Sequence, residues 1–318
     1  MEFSKVDKDT TTNQYFEQLV HLEQICGLEP FSREMLTECI EAMDTYAFID
    51  DDMICGFISI HSSAKYLGGG LYIVNLNVAP EYRRQGIGEK LMRTALVQYG
   101  NINDVPITLD VTKTNTPALR LYQKLGFQIT DLPSANGDSD YVMITHLSQF
   151  LGSLKTANLH LRPIALQDAA QLGEILQSDI VKQTYMVPDL TSEAATELGK
   201  KIALLSCDPT RYIRGIYLKG ILIGQVNDVA KENGSIELGW FIHPQYHGQG
   251  YATEAVKAMI PDLFDRGFKA VTAGAFSENT ASLRVMQKCG MKLQEITEDI
   301  EYRGKIHKCI YYAIRREE

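Results

Sequence analysis

The chain has 318 residues, 45% of them apolar, a formal net charge of −9 and six cysteines. That length suits two domains of ordinary size, each able to bury its own core. Residues 1 to 152 hold 11 Lys and Arg against 20 Asp and Glu, whereas residues 153 to 318 hold 20 of each. The acidic surplus therefore lies in the first half, which speaks against phosphate-backbone binding and suits a cationic amine better than an anionic partner.

Cys26, Cys39, Cys55, Cys207, Cys289 and Cys309 form no C-x-x-C pair and have no companion His at metal spacing, so free thiols and no metal are expected. The segment Met1 to Asp7 has no apolar signal core, and no run approaches the roughly 18 apolar residues of a membrane span. A cytoplasmic protein that meets neither membrane nor nucleic acid is expected.

The first half opens with helical spacing at Phe16, Leu19, Val20, Leu22 and Ile25, and Ser32 is placed to cap a second helix from Arg33 to Met43. A hairpin follows, with Ala47–Ile49 and Ile54–Ile60 flanking an acidic turn. Leu71 to Val78 is the next strand, and it runs through Ala79-Pro80 into a glycine loop. Beyond the loop come a helix over Glu89–Tyr99, a strand over Ile107–Val111, a helix over Thr116–Leu125 stopped by Gly126, and a strand over Tyr141–Thr145.

Composition shifts between Ser148 and Asn158, so residues 1–150 and 158–318 are expected as domains joined by a linker at 151–157. The second half then repeats the order: strand Leu159–Pro163, helices Leu166–Gln177 and Ser192–Leu205, hairpin strands Ile213–Tyr217 and Ile221–Val229, and strand Ser235–Ile242. After a second glycine loop come helix Thr253–Arg266, strand Ala270–Phe276, helix Thr280–Cys289 and a strand pair around Arg303-Gly304-Lys305. Each half thus reads as a mixed, mostly antiparallel sheet with helices on both faces, in the broad α/β (α+β) class.

The two halves share more than element order. Arg83-Arg84-Gln85-Gly86-Ile87-Gly88 recurs 164 residues later as His247-Gly248-Gln249-Gly250-Tyr251-Ala252, and Asn115 to Phe127 recurs as Asn279 to Met291. A glycine loop between a strand and a helix lets backbone N–H groups cradle a pyrophosphate. A dinucleotide fingerprint would need a third glycine and an earlier strand, and a kinase-type loop would need Gly-Lys-Ser or Gly-Lys-Thr.

Val78 to Gly88, with Asn115 and Ala118 to Phe127, resembles the GNAT superfamily of acyl-CoA-dependent N-acyltransferases. Glu237-Leu238-Gly239-Trp240, Gly248 to Ala255 and Asn279 to Ser282 make the second half similar to the Rim-type branch that acetylates ribosomal-protein N-termini. The resemblance covers nearly the whole chain and implies two tandem GNAT domains that bind acetyl-CoA. It implies that backbone from Arg83 to Gly88, and from His247 to Ala252, binds the pyrophosphate. It also implies a strand that splays from its neighbour, leaving backbone at Leu76 and Val78, and at Trp240 and Ile242, for the pantetheine arm, with Asn115 and Asn279 nearby.

The same resemblance implies an asymmetry in acid and base. Tyr122 occupies the place of the tyrosine that protonates the departing thiolate, and its counterpart is Met286. Glu237 and Ser282 match the base and acid ascribed to Rim-type enzymes, and their counterparts are Ile73 and Ala118. In the first half no base stands out, although Tyr72 or Asn75 is placed to position a water. The expected activity is transfer of acetyl to a primary amine of a small molecule or peptide, with the second half favoured for turnover. The alternative is that one or both halves hold CoA as a scaffold or sensor. The acceptor is expected to meet Cys26–Met43, Asp179–Asp189 and Asp299–His307.

Overall fold

The computed structural model describes residues 1–6, 13–26, 31–62, 70–101, 104–134 and 136–316. The chain divides into two compact units, Met1–Gly152 and Ser153–Glu318. In the first, strand β1 (Glu2–Val6) precedes helices α1 (Asn13–Cys26) and α2 (Arg33–Ala42), then strands β2 (Asp44–Asp50), β3 (Met53–Ser62) and β4 (Leu71–Val78). Helix α3 (Ile87–Leu96), strand β5 (Pro106–Thr112), helix α4 (Thr116–Lys124), strands β6 (Gln128–Ile129) and β7 (Asp140–His146) and the short helix α5 (Leu147–Leu151) complete it.

The second unit begins with strands β8 (Leu154–Lys155) and β9 (Leu159–Arg162) and helices α6 (Ala169–Gln177), α7 (Asp179–Tyr185) and α8 (Ser192–Ser206). Strands β10 (Ile213–Leu218), β11 (Ile221–Glu232) and β12 (Ser235–Ile242) lead to helix α9 (Tyr251–Asp265), strand β13 (Ala270–Phe276), helix α10 (Thr280–Lys288) and the long hairpin β14 (Lys292–Tyr302) and β15 (Lys305–Arg315). β4, β5 and α4 recur end for end as β12, β13 and α10 at the 164-residue offset.

The sheet orders are β1-β2-β3-β4-β5-β7-β6 and β14-β15-β13-β12-β11-β10-β9-β8. Each is antiparallel except at one pair, β4 with β5 and β12 with β13. In the first unit Leu19, Leu22, Leu36 and Ile40 of α1 and α2 pack with Phe57 and Ala47 on one face. In the second, Leu172, Ile175, Val181 and Ala203 of α6, α7 and α8 cover one face with Phe241, and Val256, Met259, Leu263 and Met286 of α9 and α10 cover the other.

Local chemistry explains most boundaries. The Ser32 hydroxyl accepts from Met35 N at 3.2 Å and starts α2. Four hairpins turn on residue pairs with positive φ, Asp51-Asp52, Lys219-Gly220, Asn233-Gly234 and Arg303-Gly304, as two-residue turns of the primed type require. Of residues 151 to 157, expected as a linker, Leu151, Leu154 and Lys155 belong to elements. Leu151 closes α5, Gly152 ends it at a φ of 56°, and Leu154 and Lys155 pair with Leu161 and His160. β1 and α7 are additions to the expected order.

Candidate active sites

Each parallel pair comes apart after three residues. Leu71–Ile73 pair with Ile107–Leu109, and Ser235–Glu237 pair with Ala270–Thr272. Past Ile73 and Glu237 the strands diverge, which leaves one edge of β4 and of β12 without a neighbour. A glycine loop closes the wide end of each opening.

The first cleft, of about 600 Å³, is lined by Leu76, Asn77, Val78, Arg83, Arg84, Gly86, Ile87, Gly88, Asn115, Leu121 and Tyr122. The second, of about 350 Å³, is lined by Trp240, Ile242, His247, Gly248, Gly250, Tyr251, Ala252, Asn279, Ser282 and, from α7, Ile180, Val181 and Thr184. The structure therefore brings together nearly every residue singled out from the sequence. The exceptions are Tyr72, Asn75, Gln85, Gln249 and Glu237, which line neither cleft. The Gln85 and Gln249 side-chain amides donate back to Glu81 O at 2.8 Å and Gln245 O at 3.2 Å, bracing the turn ahead of the loop.

The loops suit an anion. Gly86 and Gly250, at φ 79° and 89°, cap α3 and α9 with no side-chain acceptor, so the first-turn N–H groups face the cleft. A Cβ on either glycine would meet nothing within 4 Å, and that space is the cradle a pyrophosphate would fill. Gly88 serves differently, because a Cβ there would lie 3.3 Å from Leu121. Its counterpart Ala252 carries that Cβ.

Arg83 and His247 hold backbone. Arg83 Nε donates to Val78 O at 3.0 Å, and His247 Nε2 lies 2.7 Å from Ile242 O. Different side chains at equivalent positions thus grip the last carbonyl of the splayed strand. The Val78 and Ile242 carbonyls are thus engaged by side chains of their own domain. Arg83 also donates to Cys26 Sγ at 3.1 Å. Asn115 and Asn279 are helix caps that accept from Ala118 N at 3.3 Å and Ser282 N at 3.2 Å.

The candidate acids and bases differ in setting. The Tyr122 ring is buried, 8% exposed, 5.9 Å from Phe127, and its side chain lines the first cleft with no hydrogen-bond partner among the described residues. Burial pushes its phenol up to about 12, so it stays protonated. Met286 is wholly buried. Ser282 lines the second cleft; Glu237 does not, although it shares a face of β12 with Gly239 and Phe241, since strand residues alternate, and Phe241 lines that cleft. Burial, then Glu298 and Glu232, push the Glu237 carboxyl above its ordinary range.

One residue packed behind the first cleft escaped the reading of the sequence. Glu23 of α1, 3% exposed, accepts from the side-chain amide of Asn77 and from Phe31 N–H. The signal was present, since Leu19, Leu22 and Cys26 put Glu23 on the apolar stripe of α1. In the second unit, Tyr302 Oη lies 2.6 Å from Lys182 O and 3.0 Å from Val187 O, and Arg303 pairs with Asp189 at 3.0 Å. These bonds join two of the segments expected to meet the acceptor. Of the third, residues 27–30 lie outside the described residues.

No helix among the described residues is long and apolar enough to cross a membrane, and none of their His, Cys, Asp and Glu groups could hold a metal ion.

Among known proteins, the Acetyltransferase (GNAT) domain family matches residues 158–292, and the Acetyltransferase (GNAT) family matches residues 16–127. The chain is similar to N-alpha-acetyltransferase 30 of Schizosaccharomyces pombe, 28% identical over 122 residues, 36% of this chain and 79% of that protein. It is also similar to the uncharacterized N-acetyltransferase YnaD of Bacillus subtilis, 35% identical over 93 residues, 26% of this chain and 49% of that protein, so it spans about half of YnaD. A solved Salmonella typhimurium acetyl transferase that modifies the N-terminal serine of ribosomal protein L7/L12 is 18% identical, with a TM-score of 0.46 over 51% of this chain and 97% of its own. With two matches that together span well over half of its length, one in each half, the chain belongs to the GNAT family of acetyltransferases.

Proposed function

We propose that the protein transfers acetyl from acetyl-CoA to a primary amine of a small molecule or peptide by direct attack, and that the first domain is the site of transfer. Both clefts are read as donor sites, with the diphosphate on the first-turn N–H groups of α3 and α9. Acetyl-CoA supplies the activated carbonyl and a thiolate leaving group. The observation that carries this reading is Tyr122, whose buried phenol lines the first cleft. A general acid kept protonated there speeds departure of the thiolate, an effect typically worth about 10²- to 10⁴-fold.

The second domain lacks that acid, because Met286 fills the equivalent place and is wholly buried. Glu237 and Ser282 remain its candidates, and a donor-binding scaffold is the second reading for that half. The ribosomal-protein substrate of the Salmonella typhimurium relative makes a peptide α-amine a reasonable acceptor to test first. Steady-state transfer by the intact chain and by Tyr122→Phe tests the assignment. Turnover is expected to fall at least tenfold with acetyl-CoA affinity retained, and turnover above a tenth of the parent value would overturn it.

A further inference from the structure

Three carboxylates are buried among the described residues: Glu23, Glu89 and Asp228. Two of them hold two cations each. Glu89 pairs with Arg93 at 3.0 Å and Lys124 at 2.6 Å, and Asp228 pairs with Arg211 at 3.0 Å and Lys231 at 2.9 Å. Glu23 has no cation among the described residues and is met only by the neutral donors Asn77 Nδ2 and Phe31 N–H. A buried carboxylate without a counter-ion either takes up a proton, and burial does push the Glu23 carboxyl above its ordinary range, or is stabilised by something that supplies the charge.

Its position says what that something is. Asn77 is 8% exposed, sits on the splayed part of β4 and lines the first cleft. Its Nδ2 is bound to Glu23, so the amide is held in one orientation with Oδ1 left to accept. One turn along the same helix, Cys26 Sγ donates to Val78 O at 3.4 Å, so the last turn of α1 is fastened against the splayed strand at two points. Asn75, also on the α1 side of β4, carries a buried Oδ1 and Nδ2 that both lack partners among the described residues.

We infer that Glu23 and Asn77 form the docking point for the acceptor of the first domain, and that this acceptor is a cationic primary amine. The inference rests on the reading of the first domain as the site of transfer. An alkylammonium brings three donors and the missing positive charge to a site that presents a carboxylate and an amide oxygen. On arrival it gives one proton to Glu23 and becomes a neutral amine. Attack then forms the C–N bond as the C–S bond breaks, a second amine proton reaches the departing sulfur by way of Tyr122, and Glu23 returns its proton to solvent.

The test uses the intact chain, Glu23→Gln and Tyr122→Phe, with two small nucleophiles: ethylamine, a cation at neutral pH, and hydroxylamine, which is neutral there. For Glu23→Gln, kcat/KM with ethylamine is expected to fall roughly 10- to 100-fold, as for loss of one partner of a desolvated charge pair. With hydroxylamine it is expected to stay within about threefold, and acetyl-CoA affinity by calorimetry to stay within about twofold. Tm should hold or rise, because an uncompensated buried charge has been removed. Equal losses with both nucleophiles, no loss with either, or a marked fall in Tm would make Glu23 a structural residue and overturn the inference. If transfer is absent or indifferent to Tyr122→Phe, the first-domain reading itself fails, and the inference falls with it.

Discussion

Tyr122 shows how burial shapes a single group. Its phenol is pushed up to about 12, so the acid form persists throughout the range in which an acceptor amine loses its proton. First-domain transfer is therefore expected to rise with pH and to show no decline from Tyr122 up to about pH 10, as a pH–rate profile would reveal. Two carboxylates illustrate opposite signs of linkage. Burial raises Asp228, but hydrogen bonds from Lys231 and Arg211 outweigh it and hold its carboxyl low. Its contribution is thus present above the unfolded pKa of about 3.9 and lost as pH falls through the folded value. Asp228→Asn is expected to lower stability by about 2 kcal/mol near neutral pH, measured by denaturant titration. Glu237 is raised, so the folded state holds its proton more tightly, and its effect on stability worsens as pH climbs from about 4.3 through the folded value. Glu237→Gln should leave Tm unchanged or higher at pH 7; a clear fall would mark an ion pair that sets the residue's role.

At the scale of elements, the two glycines of the first loop do different work and should respond differently. Gly86 lies at φ 79° in open space, so Gly86→Ala meets only backbone strain of about 1–2 kcal/mol. Gly88→Ala needs Leu121 to give by a few tenths of an ångström, as the packing around Ala252 already allows; a stability change below about 0.5 kcal/mol by thermal melting is expected. The strand ends make a sharper test. Arg83 and His247 grip Val78 O and Ile242 O, and loosening either should let the splayed strand drift from the donor. Arg83→Ala and His247→Ala are expected to weaken acetyl-CoA binding at their own clefts by roughly 5- to 10-fold, one lost hydrogen bond. His247→Arg should restore the grip. Unchanged affinity in both Ala variants would leave these side chains without a positioning role.

For the whole molecule, the duplicated clefts predict two donor sites in one chain. Calorimetric titration of acetyl-CoA should give two sites, one abolished by Gly86→Trp and the other by Gly250→Trp, with a thermal melt to show that each variant is folded. Turnover is expected to follow the Gly86 site, and a chain whose turnover is lost only with Gly250→Trp would return the chemistry to Glu237 and Ser282. The cleft volumes differ, about 600 and 350 Å³, and α7, which lines the second cleft, is held by Tyr302 at Lys182 O while Arg303 pairs with Asp189 just beyond it. The first sheet has no such clasp among the described residues.

Much of this was legible in the chain itself, because short-range rules govern it. The loop, its flanking strand and helix, and the Asn caps recur at a constant offset, and β4, β12, β5, β13, α4 and α10 obey local periodicity and punctuation. β1 was not legible, since five residues paired with Ile49 to Thr45 carry no local signal. Nor was the fate of residues 151 to 157, where β8 forms only by pairing with β9. Family, tandem arrangement and cleft-lining residues were thus determined by the amino-acid sequence alone. Which groups share a wall was decided by tertiary structure. Glu237 and Ser282 look like a pair along the chain, yet only Ser282 lines the second cleft. Glu23 looks like one acidic residue among many, yet packing of α1 on β4 buries it beside the cleft without a counter-ion, because burial and charge pairing depend on partners distant in sequence.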